Sequence, residues 1–324
     1  MSNRTRLTPL LALLLTLSAA PLGAADVVRI GTLKFGTVNW ELDTIRRHAL
    51  DREQGIAIEV REFANKQAAH IVFQSGEVDM IVTDWVWVSR ERASGKPFSF
   101  IPYSFSLGAV MTPAGSATAD LRGLRGLRVG VAGGAYDKSW LLLRAWAQKQ
   151  HGFDPLEAFD VRYAAPPLLN GQIEHEKLDA VLNFWHYCAR LEAAGYRRLL
   201  EIRDVVAGLG VGAAPMVGYV FKEPWAREHA GIVARFNAAA RKARGKLLRQ
   251  DAEWEHLRPL MRVDDEAAFT ALRDRYRDGI PARWGERERA NAARLMELLA
   301  QLGGDKLTGG ARLAQGTFWD GVSF

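Results

Sequence analysis

Four tryptophans occupy positions that suggest a shared role. Trp40 and Trp140 are 100 residues apart, as are Trp85 and Trp185. Each follows an apolar run and a short polar connector, so each is expected where a strand gives way to a helix. In open α/β sheets ligands sit outside the carboxyl ends of the strands. Four indoles there would supply broad, flat, apolar walls for stacking a planar solute. The polar residues around them, Asn39, Asp84, Asp137, Lys138, Ser139, Asn183 and His186, are then expected to orient it. Any one of these tryptophans would serve as well in core packing, and the remaining six, Trp87, Trp146, Trp225, Trp254, Trp284 and Trp319, are read that way.

Other chemistries fit the residues poorly. The loop Gly133-Gly134-Ala135-Tyr136-Asp137-Lys138-Ser139 precedes a helix, but Asp137 stands where a phosphate loop needs glycine before its lysine. What is left is a helix N-terminus, suited either to an anionic part of a ligand or to plain capping by Asp137. Gly208-Leu209-Gly210-Val211-Gly212 lacks the strand-to-helix setting of a dinucleotide motif and reads as hinge or loop. The seven histidines show no i, i+4 pair, so no metal and no cofactor is expected. Cys188 is the only cysteine, which excludes an internal disulfide, and it reads as buried packing. The basic residues of 227–258 alternate with acidic ones as on a solvated helix face, which gives no basis for nucleic-acid binding.

The elements that must position these residues come in two rounds. Val27 to Leu33 reads as a strand, Leu42 to Leu50 has helical spacing, and Ile56, Ile58 and Val60 alternate as a second strand. Asn65 can cap a helix that Gly76 ends, and Val78 to Val82 form a third strand. The order recurs about 100 residues later. Val28-Arg29-Ile30-Gly31 matches Leu127-Arg128-Val129-Gly130, and Val78-Asp79 matches Leu178-Asp179. An offset that long implies duplication of a whole lobe. Gly108 to Met111 and Met216 to Val220 read as extended crossings between lobes, and amphipathic helices follow Lys222. The expected division is residues 1–25 as a removable leader, 26–110 plus 218–324 as a discontinuous first lobe, and 111–217 as the second.

The chain has 324 residues, 48% hydrophobic and 25% charged, enough for two ordinary globular lobes. Arg4 and Arg6, the apolar run Leu10 to Leu17 and the small residues up to Ala25 form the pattern of a cleavable secretory signal. No cysteine follows for a lipid anchor, so a soluble periplasmic protein is expected.

On these motifs the chain resembles the periplasmic substrate-binding proteins of ABC importers. More narrowly it resembles the nitrate, sulfonate and thiamine-precursor group, the SsuA/THI5-like family with the type II periplasmic-binding fold. The carriers are Ile30-Gly31-Thr32-Leu33, Ser75 to Ile81, Leu121 to Val131, and Lys177 to Val181. The loop Lys34 to Trp40 departs from the aspartate-tryptophan start of the thiamine-precursor binders. The resemblance implies two similar α/β lobes on a two-crossing hinge, closing on a small planar or anionic organic solute and delivering it to a membrane permease with a cytoplasmic ATPase. It also leaves open an enzyme of the pyrimidine-synthesising kind on the same scaffold, with Asp84 and His186 as its candidate groups, or a periplasmic accessory or sensor.

Overall fold

The computed structural model describes residues 25–229 and 231–324. The expected leader therefore lies outside the described residues except for Ala25. The first unit runs β1 (Asp26–Leu33), α1 (Val38–Arg47), β2 (Ile56–Phe63), α2 (Lys66–Ser75), β3 (Met80–Asp84), α3 (Trp85–Ala93) and β4 (Phe98–Ser104). The second runs β5 (Ala109–Thr112), β6 (Arg128–Ala132), α4 (Lys138–His151), α5 (Pro155–Ala158), β7 (Asp160–Ala164), α6 (Pro166–Glu174), β8 (Ala180–Asn183), α7 (Trp185–Ala193), β9 (Arg197–Glu201) and α8 (Ile202–Gly208). The chain then returns through β10 (Val217–Lys222) and ends in α9 (Glu223–Glu228), α10 (Ile232–Arg249), α11 (Ala252–Met261), α12 (Glu266–Asp278), α13 (Glu286–Gly303) and α14 (Asp305–Thr308).

Two five-stranded sheets result, in the orders β2-β1-β3-β10-β4 and β7-β6-β8-β5-β9. Replacing each strand of the first sheet by its counterpart gives the second, with β10 and β5 antiparallel in equivalent places. The repeat extends to single side chains. Arg29 binds Asp79 through its backbone N–H (2.8 Å), Nε (3.0 Å) and Nη2 (2.6 Å). Arg128 binds Asp179 through the same three donors at 2.8, 3.0 and 2.8 Å. Each pair pins the turn before β3 or β8 to the neighbouring strand, β1 or β6. Asn65 caps α2 through the Ala68 N–H, and Gly76 ends it in the left-handed region, as the sequence implied.

The two segments read as crossings turn out to be central strands. Gly108 to Met111 lies mostly in β5 and Met216 to Val220 mostly in β10, because both are apolar enough to be buried on both faces. The crossings themselves are residues 105–108 and 209–216, just before each strand. The first ends in a tight pass: a Cβ on Gly108 would fall 1.8 Å from the Asn183 carbonyl oxygen.

The helices after β10 serve both lobes. α10 packs on α1, where Arg244 Nε meets Glu41 at 2.7 Å and Tyr219 donates to the same carboxylate at 2.7 Å, all three buried. α14 packs on α3, whereas α12 lies along α7 and α13 along α4. The C-terminal segment thus packs on helices of both lobes.

Candidate functional site

The four strand-end loops meet between the lobes, and much of their polar chemistry is consumed there. Asp84 caps α3, accepting the Trp87 N–H at 2.9 Å, and its second oxygen accepts from Lys138 of the other lobe at 3.1 Å. Burial pushes the Asp84 carboxyl up, but Lys138, Lys66 and the Trp87 N–H outweigh it and hold the group well below the usual carboxylate range. Burial pulls the Lys138 ammonium down, and Asp84 and Asp137 more than restore it. Asp137 caps α4 through the Ser139 and Trp140 N–H groups at 2.9 and 3.3 Å. Those are the donors an anion at that helix N-terminus would need, so Asp137 has taken the anion's place.

Asn183 is spent in the same way. Its amide donates to the Pro166 carbonyl (2.9 Å) and to Asn170 Oδ1 (2.8 Å), and its oxygen accepts the Phe184 N–H (2.8 Å). Asn39 donates to the Leu33 carbonyl (3.1 Å) and to Glu62 (3.3 Å), fixing the β1–α1 loop. His186 packs between Trp185 and Tyr187, its Nδ1 sealed from solvent without a partner. Burial and then Arg190 push its pKa down to about 3, so it is neutral at physiological pH.

The tryptophans divide unequally. Trp85 and Trp140 have no exposed surface and Trp40 has almost none. Trp85 is closed in by Phe318 of the C-terminal tail, 5.9 Å between ring centres, and Trp40 by Trp254 and Tyr276 at 5.9 and 5.4 Å. Only Trp185 is half-exposed, and it meets Trp40 edge-on across the lobes at 6.1 Å. The four-walled cage expected from the sequence does not form in this conformation. Residues in a first helical turn lie directly over the strand ends, and there burying a large ring against the lobe's own core competes with presenting it to a ligand.

A cavity of about 990 Å³ lies beside the hinge, between the second lobe and the helices α12 and α13. Of the eleven residues expected from the sequence, Lys138, Ser139 and Trp185 line it; Asp84 and Trp40 reach it only through Lys138 and Trp185. Asn39, Trp85, Asp137, Trp140, Asn183 and His186 are not in its lining. The rest of the wall comes from the hinge (Phe105 to Leu107, Val211 to Met216), from β9 and α8, and from α12 and α13. Seven cationic side chains face it against four carboxylates. An ion-pair network crosses the lobes beside it: Arg275 of α12 meets Glu192 at 2.5 Å and Glu201 at 3.7 Å, while Arg198 meets the same two carboxylates at 2.9 and 3.2 Å. Sequence reasoning missed the α13 contribution. Arg287, Asn291, Arg294 and Leu295 recur at helical spacing on the cavity-facing side, a polar stripe beside an apolar residue that looks like an ordinary solvated face until the partner surface is known. Among the described residues no cluster of histidine, cysteine and carboxylates is placed to hold a metal ion.

Known proteins share the sequence pattern and the fold. The NMT1/THI5 like family profile matches residues 52–253, more than half of the chain. The chain belongs to the NMT1/THI5-like family. No curated protein matches it in sequence. Solved structures with the same fold include the periplasmic aliphatic sulphonate binding protein SsuA from Escherichia coli, with TM-score 0.72 and 17% identity over 91% of this chain and 92% of that one. The alkanesulfonate-binding protein SsuA from Xanthomonas axonopodis pv. citri, bound to MOPS, aligns with TM-score 0.68 and 16% identity over 91% and 98%. A third, a point mutant of DSZB in complex with biphenyl-2-sulfinic acid, has TM-score 0.60 and 13% identity over 88% and 96%. The fold is therefore the bilobal one of periplasmic binding proteins.

Proposed function

We propose that this chain is the periplasmic solute-binding component of an ABC importer. Solute is held in the cavity beside the hinge and is presented by the closed form to a membrane permease driven by a cytoplasmic ATPase. The observation that carries this reading is a cavity at the hinge of two α/β units of one strand order, walled by the second unit, by both crossings and by the helices α12 and α13. In such a frame a solute touching both lobes favours the closed form by contacts that the open form lacks. The secretory pattern of the first 25 residues supports a periplasmic location, and no helix among the described residues is long and apolar enough to cross a membrane.

The cavity wall favours an organic anion. Its cationic excess suits a sulfonate or carboxylate, and Trp185 with Leu107, Leu142, Val206 and Met216 suits an apolar or planar body. The two SsuA proteins, described as sulfonate binders, support that class.

Enzyme chemistry finds less to work with. Burial pushes the Cys188 thiol up to about 11, so it carries almost no thiolate. Asp84 is occupied by Lys138 and the Trp87 N–H, and His186 is not in the cavity wall. Ligand-free protein dialysed against a small-molecule extract should retain one compound per chain, and mass spectrometry should find it unaltered after prolonged incubation. Conversion of that compound to a product would favour the enzyme.

A further inference from the structure

The cavity has a charged opening to one side, where α8 and α13 face each other. Arg203, Arg283, Arg287 and Arg294 line it and are exposed. Two have a carboxylate neighbour, Arg203 with Asp204 at 3.8 Å and Arg287 with Glu288 at 2.8 Å. Arg283 and Arg294 form no ion pair among the described residues. The other two carboxylates of the wall are engaged: Asp278 lies 3.7 Å from Arg275 and Glu201 3.2 Å from Arg198. The opening therefore carries a net positive field. The strand-end edges of the lobes are joined by Lys138 on Asp84 (3.1 Å) and Trp185 on Trp40 (6.1 Å), and Arg190 of α7 donates to the Met261 carbonyl of α11 (2.6 Å).

We propose that this arginine-lined opening is a lateral mouth through which small organic anions reach Lys138, Ser139 and Trp185 while the strand-end edges of the lobes stay joined. The inference rests on the solute-binding reading for its biological meaning, but not for its test. Positive groups around a concave, low-dielectric channel concentrate field lines and raise the arrival rate of anions. A Debye length of about 8 Å at physiological salt lets four arginines spaced around one opening act together. Guanidinium groups also pair with carboxylate and sulfonate oxygens through a planar fork, so a passing anion can be handed inward to Lys138. The apolar wall beyond the arginines accepts the rest of the molecule.

The test needs no knowledge of the natural solute. Ser139→Cys puts a thiol on the inner wall, and native Cys188, fully buried, is the background. The probes are two methanethiosulfonates of similar size, one with an anionic sulfonatoethyl group and one with a cationic trimethylammonioethyl group. In each case the thiolate attacks the sulfenyl sulfur, a disulfide forms, and methanesulfinate leaves. At low ionic strength the anionic reagent should react about tenfold faster or more, with the advantage shrinking as salt rises. In S139C carrying R283E and R294E the advantage should vanish or reverse, and the milder R283Q and R294Q pair should fall between. Equal rates for the two reagents, a ratio unmoved by the arginine substitutions, or no reaction at the introduced thiol until the chain is denatured would each overturn the proposal. A chain that retains no solute in dialysis yet shows the charge-dependent ratio would refute the receptor reading and leave the mouth standing.

Discussion

The two lobes share a frame and differ in what they do with it. Strand order, the Arg29–Asp79 and Arg128–Asp179 clamps, and a tryptophan opening the helix after the third strand are common to both. In the first lobe that tryptophan, Trp85, is covered by Phe318, because the C-terminal tail pairs with β4 through Phe100. In the second, Trp185 meets Tyr276 of α12 at 6.2 Å yet stays half-exposed and lines the cavity. The charges that join the lobes also come from unmatched positions. Lys138 is the counterpart of Val38, and Asp84 the counterpart of Phe184. Duplication supplied the scaffold, and divergence at a few helix starts made the two faces complementary instead of identical.

That comparison can be broken experimentally, beginning with the tryptophans. Trp85→Ala empties a fully buried site and should cost about 3–5 kcal/mol in urea unfolding, whereas Trp185→Ala should cost about 1 kcal/mol. Equal losses would mean the rings have equivalent roles. Next comes the interlobe pair. Lys138→Met leaves the Asp84 carboxylate in a largely buried position without its cation, a penalty of about 2–3 kcal/mol. The lobes can escape that penalty by parting, so the variant should show a larger radius in X-ray scattering, and adding Asp84→Asn should restore the compact form. No change in radius for K138M would show that the pair does not hold the lobes together.

The clamps should rank by burial. The Asp79 side chain is 5% exposed and that of Asp179 is 31% exposed, so Asp79→Asn should cost about 1–3 kcal/mol and Asp179→Asn less than about 1 kcal/mol. The last effect is one of pH, spread over several pH units. His186, which stands where the first lobe has Val86, has its pKa lowered to about 3 by burial. Below an unfolded-state pKa of about 6.5 the unfolded chain binds a proton that the folded chain refuses, so stability falls as pH drops from 6.5 towards 3. The slope should approach about 1.4 kcal/mol per pH unit, and His186→Val, which copies the first lobe, should remove that much of it.

Much of this frame was legible in the sequence. Periodicity, Asn65, Gly76 and the 100-residue offset located the elements and the duplication, since these signals are local or exact in spacing. The site was legible only in part. Lys138, Ser139 and Trp185 line the cavity, as strand-end residues facing a cleft are expected to. Trp85 and Trp140 are buried instead, and the sequence does not show which rings their own lobe will bury. Asp137 and Asn183 went to caps and loop ties, a choice fixed by hydrogen-bond geometry a few residues away. The arginines of α13 were invisible because their partner surface, α8 and the hinge, lies roughly 80 residues earlier in the chain.

The most direct test of the account is native mass spectrometry of the purified full chain and its Trp185→Ala and Lys138→Met variants, each recorded before and after gentle unfolding. The account predicts a single small molecule bound one to one by the wild-type chain, released intact on unfolding and missing from both variants. Equal occupancy in all three proteins would place the binding site elsewhere and contradict the interlobe cavity as the seat of function.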